Sequence, residues 1–258
     1  MLLIDIAGLT FHGQESTAPA SDYLLIEPDG FTGWDDGVDI RRTEVERANA
    51  HGSFDAFGFL SARVASVSGV CIGSSQASTE QIGSRLTGLL AGGGAGRMLV
   101  QRDSGNQFAT GRLAARTRFA PRSSNPELAD FQIQMWFHNP RKYGGAQEFT
   151  SAADGRWTAY HRGNFDASPF ITVTGNAPSY TIGGPNSTVY KVQEPVTPAA
   201  PHVIDLGSGQ ITVGGELRFG IASQADTWVI PSGQQIAQRI VPDGGTIQAT
   251  ELVRDTFI

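Results

Sequence analysis

PHVIDLGSGQITVGGELRFGIASQADTWVIPSGQQIAQRIVPDGGTIQATELVRDTFI, residues 201–258, carries the clearest structural signal in the chain. Short alternating runs at 203–206, 210–213 and 227–230 are separated by turns such as Gly214-Gly215 and Pro231-Ser232-Gly233. Period-two alternation broken by Gly, Ser and Pro predicts antiparallel strands, since alternate side chains enter a core and the chain reverses where special φ values are cheap. The stretch therefore reads as part of a small β-sandwich. It holds no obvious nucleophile, base or metal cluster, so its expected role is to present a rigid surface.

Working outward, composition agrees. The 258 residues, 40% hydrophobic and 17% charged, fit a soluble globular chain of one or two domains at ~150 residues each. Gly 32 and Pro 13 punctuate apolar runs without forming tracts, which marks many turns and a mainly β protein. A net charge of -6 and a pI near 5.3 argue against a dedicated nucleic-acid binder, which would show a basic stripe. Only Lys142 and Lys191 are lysines, and the arginine bias slightly favours assembly, because Arg suits packed interfaces. The single cysteine, Cys71, alternates with apolar residues and is expected to be a small buried hydrophobe. No disulfide framework requires an oxidising compartment. MLLIDIAGLTF lacks a basic n-region and breaks at Asp5, which predicts a first strand and not a signal peptide. No run approaches the length of a membrane span. Synthesis and folding in cytoplasm, without a membrane, are the expectation.

Two domains are expected, 1–142 and 143–258. In the first, strands are predicted near 2–11, 22–27, 38–48, 54–72, 97–103, 107–120 and 129–139. One helix is predicted near 77–91, capped by Ser78 with Gln81 completing the box, Ile82, Leu86, Leu89 and Leu90 on one face, and Gly92-Gly93-Gly94 ending it. The alternating run 131–137 stops at Asn139-Pro140, and the composition shift after it places the boundary. Between 29 and 47, DGFTGWDDGVDIRRTEVER is charge-dense, with Phe31 and Trp34 outside a clean strand pattern. It reads either as an arm that contacts a partner or as a solvated hairpin.

Chemistry is sparse. The five histidines are scattered, with no pairing that would set two ligands on one helix face, and no G-x-S-x-G elbow is present. Gly92-Gly93-Gly94-Ala95-Gly96 follows the predicted helix and so has the wrong polarity for a phosphate cradle. Asp35, Asp36 and Asp39 lack calcium-loop spacing. Asp166, Glu216 and Asp226 are available to a wall-degrading hydrolase, but nothing pairs them. No enzyme, catalytic residue, metal or cofactor is expected. Trp157 and Trp228 are candidates for stacking on cell-wall sugars, with sandwich core as the alternative reading.

Several short motifs, in order, resemble a family. They are Gly33-Trp34-Asp35, the arginines Arg41, Arg42 and Arg47, the single helix, and the turn His138-Asn139-Pro140-Arg141-Lys142-Tyr143-Gly144. In the second half they are the 203–206 run, the Gly214-Gly215 turn, the element from Trp228 to Gly233 and the closing Arg254-Asp255-Thr256-Phe257. Together these are similar to the distal tail proteins of long, non-contractile-tailed bacteriophages. The resemblance implies a β-sandwich or split-barrel-like ring domain with one helix, followed by a galectin-like, jelly-roll β-sandwich. It also implies a structural virion protein of the tail tip, a homo-oligomeric, hexameric ring joining tail tube to baseplate hub. Expected partners are the tail tube protein, the tail hub protein, the tape measure protein and receptor-binding or other minor tail proteins, with DNA passing the lumen unbound. Phe31, Trp34, Arg41 and Arg42 would then anchor a subunit contact. A carbohydrate-binding tail module is the alternative reading.

Overall fold

A computed structural model describes residues 1–15 and 18–258. Contacts divide the chain into two compact units, Met1–Lys142 together with Ile258, and Tyr143–Phe257.

The first unit is a closed barrel where a sandwich or split barrel was expected. Its strands are β1 (Leu2–Ile6), β2 (Leu9–His12) and β3 (Tyr23–Thr32), then the two-residue pair β4 (Ile40–Arg41) and β5 (Phe59–Leu60), and β6 (Arg63–Ile72). After helix α1 (Gln76–Gly88) come β7 (Gly96–Arg102), β8 (Gly105–Leu113), β9 (Arg118–Arg122) and β10 (Asn125–Phe137). Seven of them pair in the order β8-β7-β1-β2-β3-β6-β10, and β10 returns to β8 through Met135 and Trp136 opposite Leu113 and Arg112. All pairings are antiparallel except β2 with β3. Alternation explains the filling. Along β10, Phe131, Ile133, Met135 and Phe137 point inward to meet Ile4, Ile6, Val67 and Met98, while Gln132, Gln134 and Trp136 point out. Cys71 is fully buried, and burial pushes its thiol up to about 11, so it is an inert hydrophobe.

Helix α1 starts at Gln76, within a residue of its expected start, but its cap lies three residues before Ser78. Ser75 is the N-cap, its Oγ accepting from Ser78 N at 3.2 Å, while the Ser78 hydroxyl turns to Asp22. Ile82 and Leu86 enter the core as expected, but Leu89 caps the helix and Leu90 turns left-handed (φ 53), so the chain leaves before the glycines. Gly83 sits against Phe119 of β9, where an added Cβ would come within 2.3 Å of the ring.

Two sheets make up the second unit. One is antiparallel, in the order β12 (Arg156–Ala159), β20 (Ile236–Pro242), β14 (Tyr180–Gly183), β15 (Val189–Val192), β19 (Ala222–Ala225). The other runs β18 (Glu216–Arg218), β17 (Gln210–Val213), β16 (His202–Asp205), β13 (Phe170–Asn176), β21 (Thr246–Phe257), β11 (Lys142–Thr150). Ile171, Val173, Ile204 and Val253 from the second meet Ile182, Ile236 and Ile240 from the first in one core. The run 227–230 is not a strand. Only Ile230 bridges, to Ala167, although Trp228 and Ile230 both turn inward as alternate residues of a strand would.

Candidate functional site: an exposed arm and its buried root

Strand β3 enters the arm through Gly33, which takes φ 77 with Val64 O only 2.0 Å from where a Cβ would stand. A side chain is excluded there on both counts. The next residue, Trp34, is fully buried, its ring 5.8 Å from Phe137 in an edge-on arrangement and 6.2 Å from the half-buried Phe31. Trp34 therefore presents no surface, contrary to its expected place as an exposed anchor, and Phe31 packs beside the same core. The aromatic is internal because two cations hold its backbone. Arg63 is 2% exposed and donates from Nη1 to the carbonyls of Gly33, Trp34 and Asp36 at 2.8–2.9 Å, and from Nε to Pro140 O at 3.1 Å. Lys142 is 4% exposed and donates from Nζ to Trp34 O at 2.7 Å.

Burial lowers the pKa of both groups. For Lys142, burial and the neighbouring Arg63 bring it down to about 8. Asp35 turns outward into a two-pronged pair with Arg102 at 2.6 and 2.7 Å, which holds its carboxyl below the usual range. Asp36 accepts from Gly33 N at 3.0 Å. Two of the three acids of this turn are thus backbone or arginine partners.

Beyond the root the chain leaves the barrel. Ser61 N donates to Asp39 O at 2.8 Å, β4 pairs with β5, and Glu46 bridges Ser53. Arg41 and Arg42 are exposed on this ribbon. So are Ile40, Val45, Phe54 and Phe59, and Phe57 is 93% exposed. Clustered apolar exposure of this kind is unusual on a monomer. The predicted strands at 38–48 and 54–72 hid this segment. Its phenylalanines at 54, 57 and 59 lack a constant period of two, and Gly52 and Gly58 interrupt the run.

In the second unit, Trp157 and Trp228 are each 6% exposed, so neither is a stacking platform. Trp157 Nε1 donates to Glu251 Oε2 at 2.6 Å, Gln238 Nε2 donates to the same oxygen at 2.5 Å, and Trp228 Nε1 donates to Gln238 Oε1 at 3.0 Å. Burial raises the Glu251 carboxyl to about 7 despite these donors. A second polar link joins Tyr180 Oη to His202 Nδ1 at 2.9 Å. Asp226 accepts from Val189 N, a turn role. Among the described residues no group of three or more His, Cys, Asp or Glu is placed to hold a metal, and no helix is long and apolar enough to cross a membrane.

The closed mixed barrel with one helix, together with the two-sheet unit, is similar in fold to a solved phage tail-hub protein. One structure it matches is the crystal structure of the Dit protein (gp 19.1) of phage SPP1, described as a paradigm of the hub adsorption apparatus in phages infecting Gram-positive bacteria. The TM-score is 0.77 at 13% identity, with all of both chains covered. Two structures of the phage P2 baseplate in its activated conformation, with Ca and with Sr, align more loosely. Both have a TM-score of 0.48 at 8% identity, covering 85% and 87% of this chain and 87% and 88% of theirs. No family model and no curated protein sequence matches the chain.

Proposed function

We propose that the chain is a structural subunit of a phage tail tip, forming a ring, hexameric by analogy, that joins the tail tube to the baseplate hub. In this reading the ring supports host adsorption and DNA passage. The first unit builds the ring, and the second is a galectin-like outer domain that meets other tail proteins. Tail tube, hub and tape measure proteins are the partners this implies, and the virion tail tip is the location. The observation that carries the reading is the exposed arm of residues 37–61, rooted on buried cations, in a chain whose whole length follows the Dit fold. A subunit that gives one surface and receives another closes into a ring by rotation. An overall charge of -6 suits a lumen that must not hold phosphate.

The sugar-binding alternative loses its support, since Trp157 and Trp228 spend their indole N–H groups inside the core. Arg41 and Arg42 stay within the proposed contact; the apolar part passes from Trp34 to Phe57 and Phe59. Negative-stain images of the purified chain should show rings, while the triple variant Arg42→Ala, Phe57→Ser, Phe59→Ser should be a folded monomer by native mass. A wild-type chain that stays monomeric at high concentration, or rings in the variant, would sink the reading.

A further inference from the structure

The root of the arm holds more hydrogen-bond donors than the protein supplies acceptors for. Arg63 and Lys142 are 2% and 4% exposed, yet their acceptors are backbone carbonyls, and neither has a carboxylate partner among the described residues. The guanidinium uses Nε and Nη1 on those carbonyls, while its Nη2 is buried without a partner. Trp34, fully buried, likewise leaves its indole Nε1 without an acceptor. These groups stand together. Arg63 Nη1 at 2.9 Å and Lys142 Nζ at 2.7 Å share the Trp34 carbonyl oxygen, and Lys142 Nζ also lies 5.7 Å from the centre of the indole ring. Buried donors without acceptors are rare in folded chains, and one on a cation costs more than one on a neutral group.

The charges at the root do not balance either. Lys142 is repelled by Arg63 and Arg102 and attracted by Asp35 and Asp36, and the same two acids attract Arg63. Three cations against two carboxylates leave one positive charge in excess. Both acids are also exposed and engaged elsewhere, Asp35 with Arg102 and Asp36 with Gly33 N, so solvent screens their hold on the buried pair. A water molecule offers the donors an acceptor but no charge. A small anion supplies both, and the burial of Trp34, Arg63 and Lys142 excludes anything as large as the phosphate of a polymer.

We propose that the arm's root is a binding site for one monovalent anion of chloride size, held by Arg63 Nη2, Trp34 Nε1 and Lys142 Nζ. The ion neutralises the excess charge. It also ties β6, the turn after β3 and Lys142 to a common acceptor, which fixes the arm where it leaves the barrel. The site lies within one chain, so it stands whether or not chains form rings.

Unfolding of the full chain in sodium chloride against sodium gluconate at equal ionic strength tests it, because gluconate screens charge but is too large to enter. Above saturation, each tenfold rise in chloride should lift the thermal midpoint of the first unit by about 3–6 °C more than gluconate does. The difference should fade as pH climbs past about 8, where Lys142 loses its proton. Lys142→Met removes the excess charge and should melt alike in both salts. Asp35→Asn, at the exposed edge of the group, adds to the excess and should tighten chloride binding about threefold. Chlorine NMR line broadening by the folded wild type, lost in Lys142→Met, reads binding without unfolding. In crystals soaked in bromide, an anomalous peak should fall within hydrogen-bond reach of Arg63 Nη2. Equal midpoints in the two salts, a chloride response kept by Lys142→Met, an Asp35→Asn affinity no tighter than wild type, or bromide bound only elsewhere would each overturn the proposal.

Discussion

Arg63 collects four backbone carbonyls with one guanidinium, and Lys142 adds a second buried cation on one of them. The two are not equivalent. Removing Arg63 strips a charged donor from carbonyls at Gly33, Asp36 and Pro140, whereas Trp34 O keeps one partner if Lys142 is lost. Arg63→Ala is expected to cost roughly 3–5 kcal/mol. Lys142→Met replaces a desolvated ammonium with an apolar chain of similar length and should stay within about 1 kcal/mol. Urea unfolding of the two variants checks this, and equal losses would refute the division of labour. None of this was legible beforehand. Trp34 reads as a surface residue because Asp35 and Asp36 follow it, and the cations that bury it lie 29 and 108 residues along the chain. Arg41 and Arg42, expected to anchor a subunit contact, are exposed on the ribbon, as charged residues beside short strands usually are.

Between elements, the telling link crosses the second unit's core. Trp157 on β12 and Gln238 on β20 are cross-strand neighbours, and both donate to Glu251 on β21 of the facing sheet. The Glu251 carboxyl is raised from 4.5 to about 7 by burial. Below 4.5 both folded and unfolded chains are protonated there. Between 4.5 and about 7 the unfolded chain ionises while the folded one keeps its proton, so stability falls as pH rises through that window and levels off above it. The loss is about 3 kcal/mol at most. Glu251→Gln keeps an acceptor for both donors and should flatten the slope in a thermal series from pH 5 to 8; an unchanged slope would exclude Glu251 as its source. At this scale the sequence was partly readable. Helix α1 and the inward faces of β10, β16 and β17 follow from period alone. The run 227–230 misled because a loop that plugs a core alternates as a strand does, and barrel closure through β10 and β8 depends on a non-local register no local pattern contains.

For the whole molecule, the arm is the part whose state should report assembly. Arg41, Arg42 and Arg47 are exposed on a ribbon with few backbone bonds, so trypsin should cut there first in the monomer. In assembled rings those cuts should slow at least about tenfold, since cleavage tracks the open population. Cleavage at equal rates in both states would show that the arm is not buried by assembly. The mainly β character and the single helix were legible through strand-and-turn punctuation, but barrel closure and the arm's reach were not, because exposure is a property of what fails to pack. The arm's root also sets a timetable. Arg63 cannot find Pro140, nor Trp34 its lysine, until residue 142 has been made, which at roughly 5–20 residues per second is several seconds after the arm itself. Nascent chains on one messenger thus carry arms whose roots are not yet fixed, and in the ring reading proposed above capture between neighbours would wait until each barrel is complete.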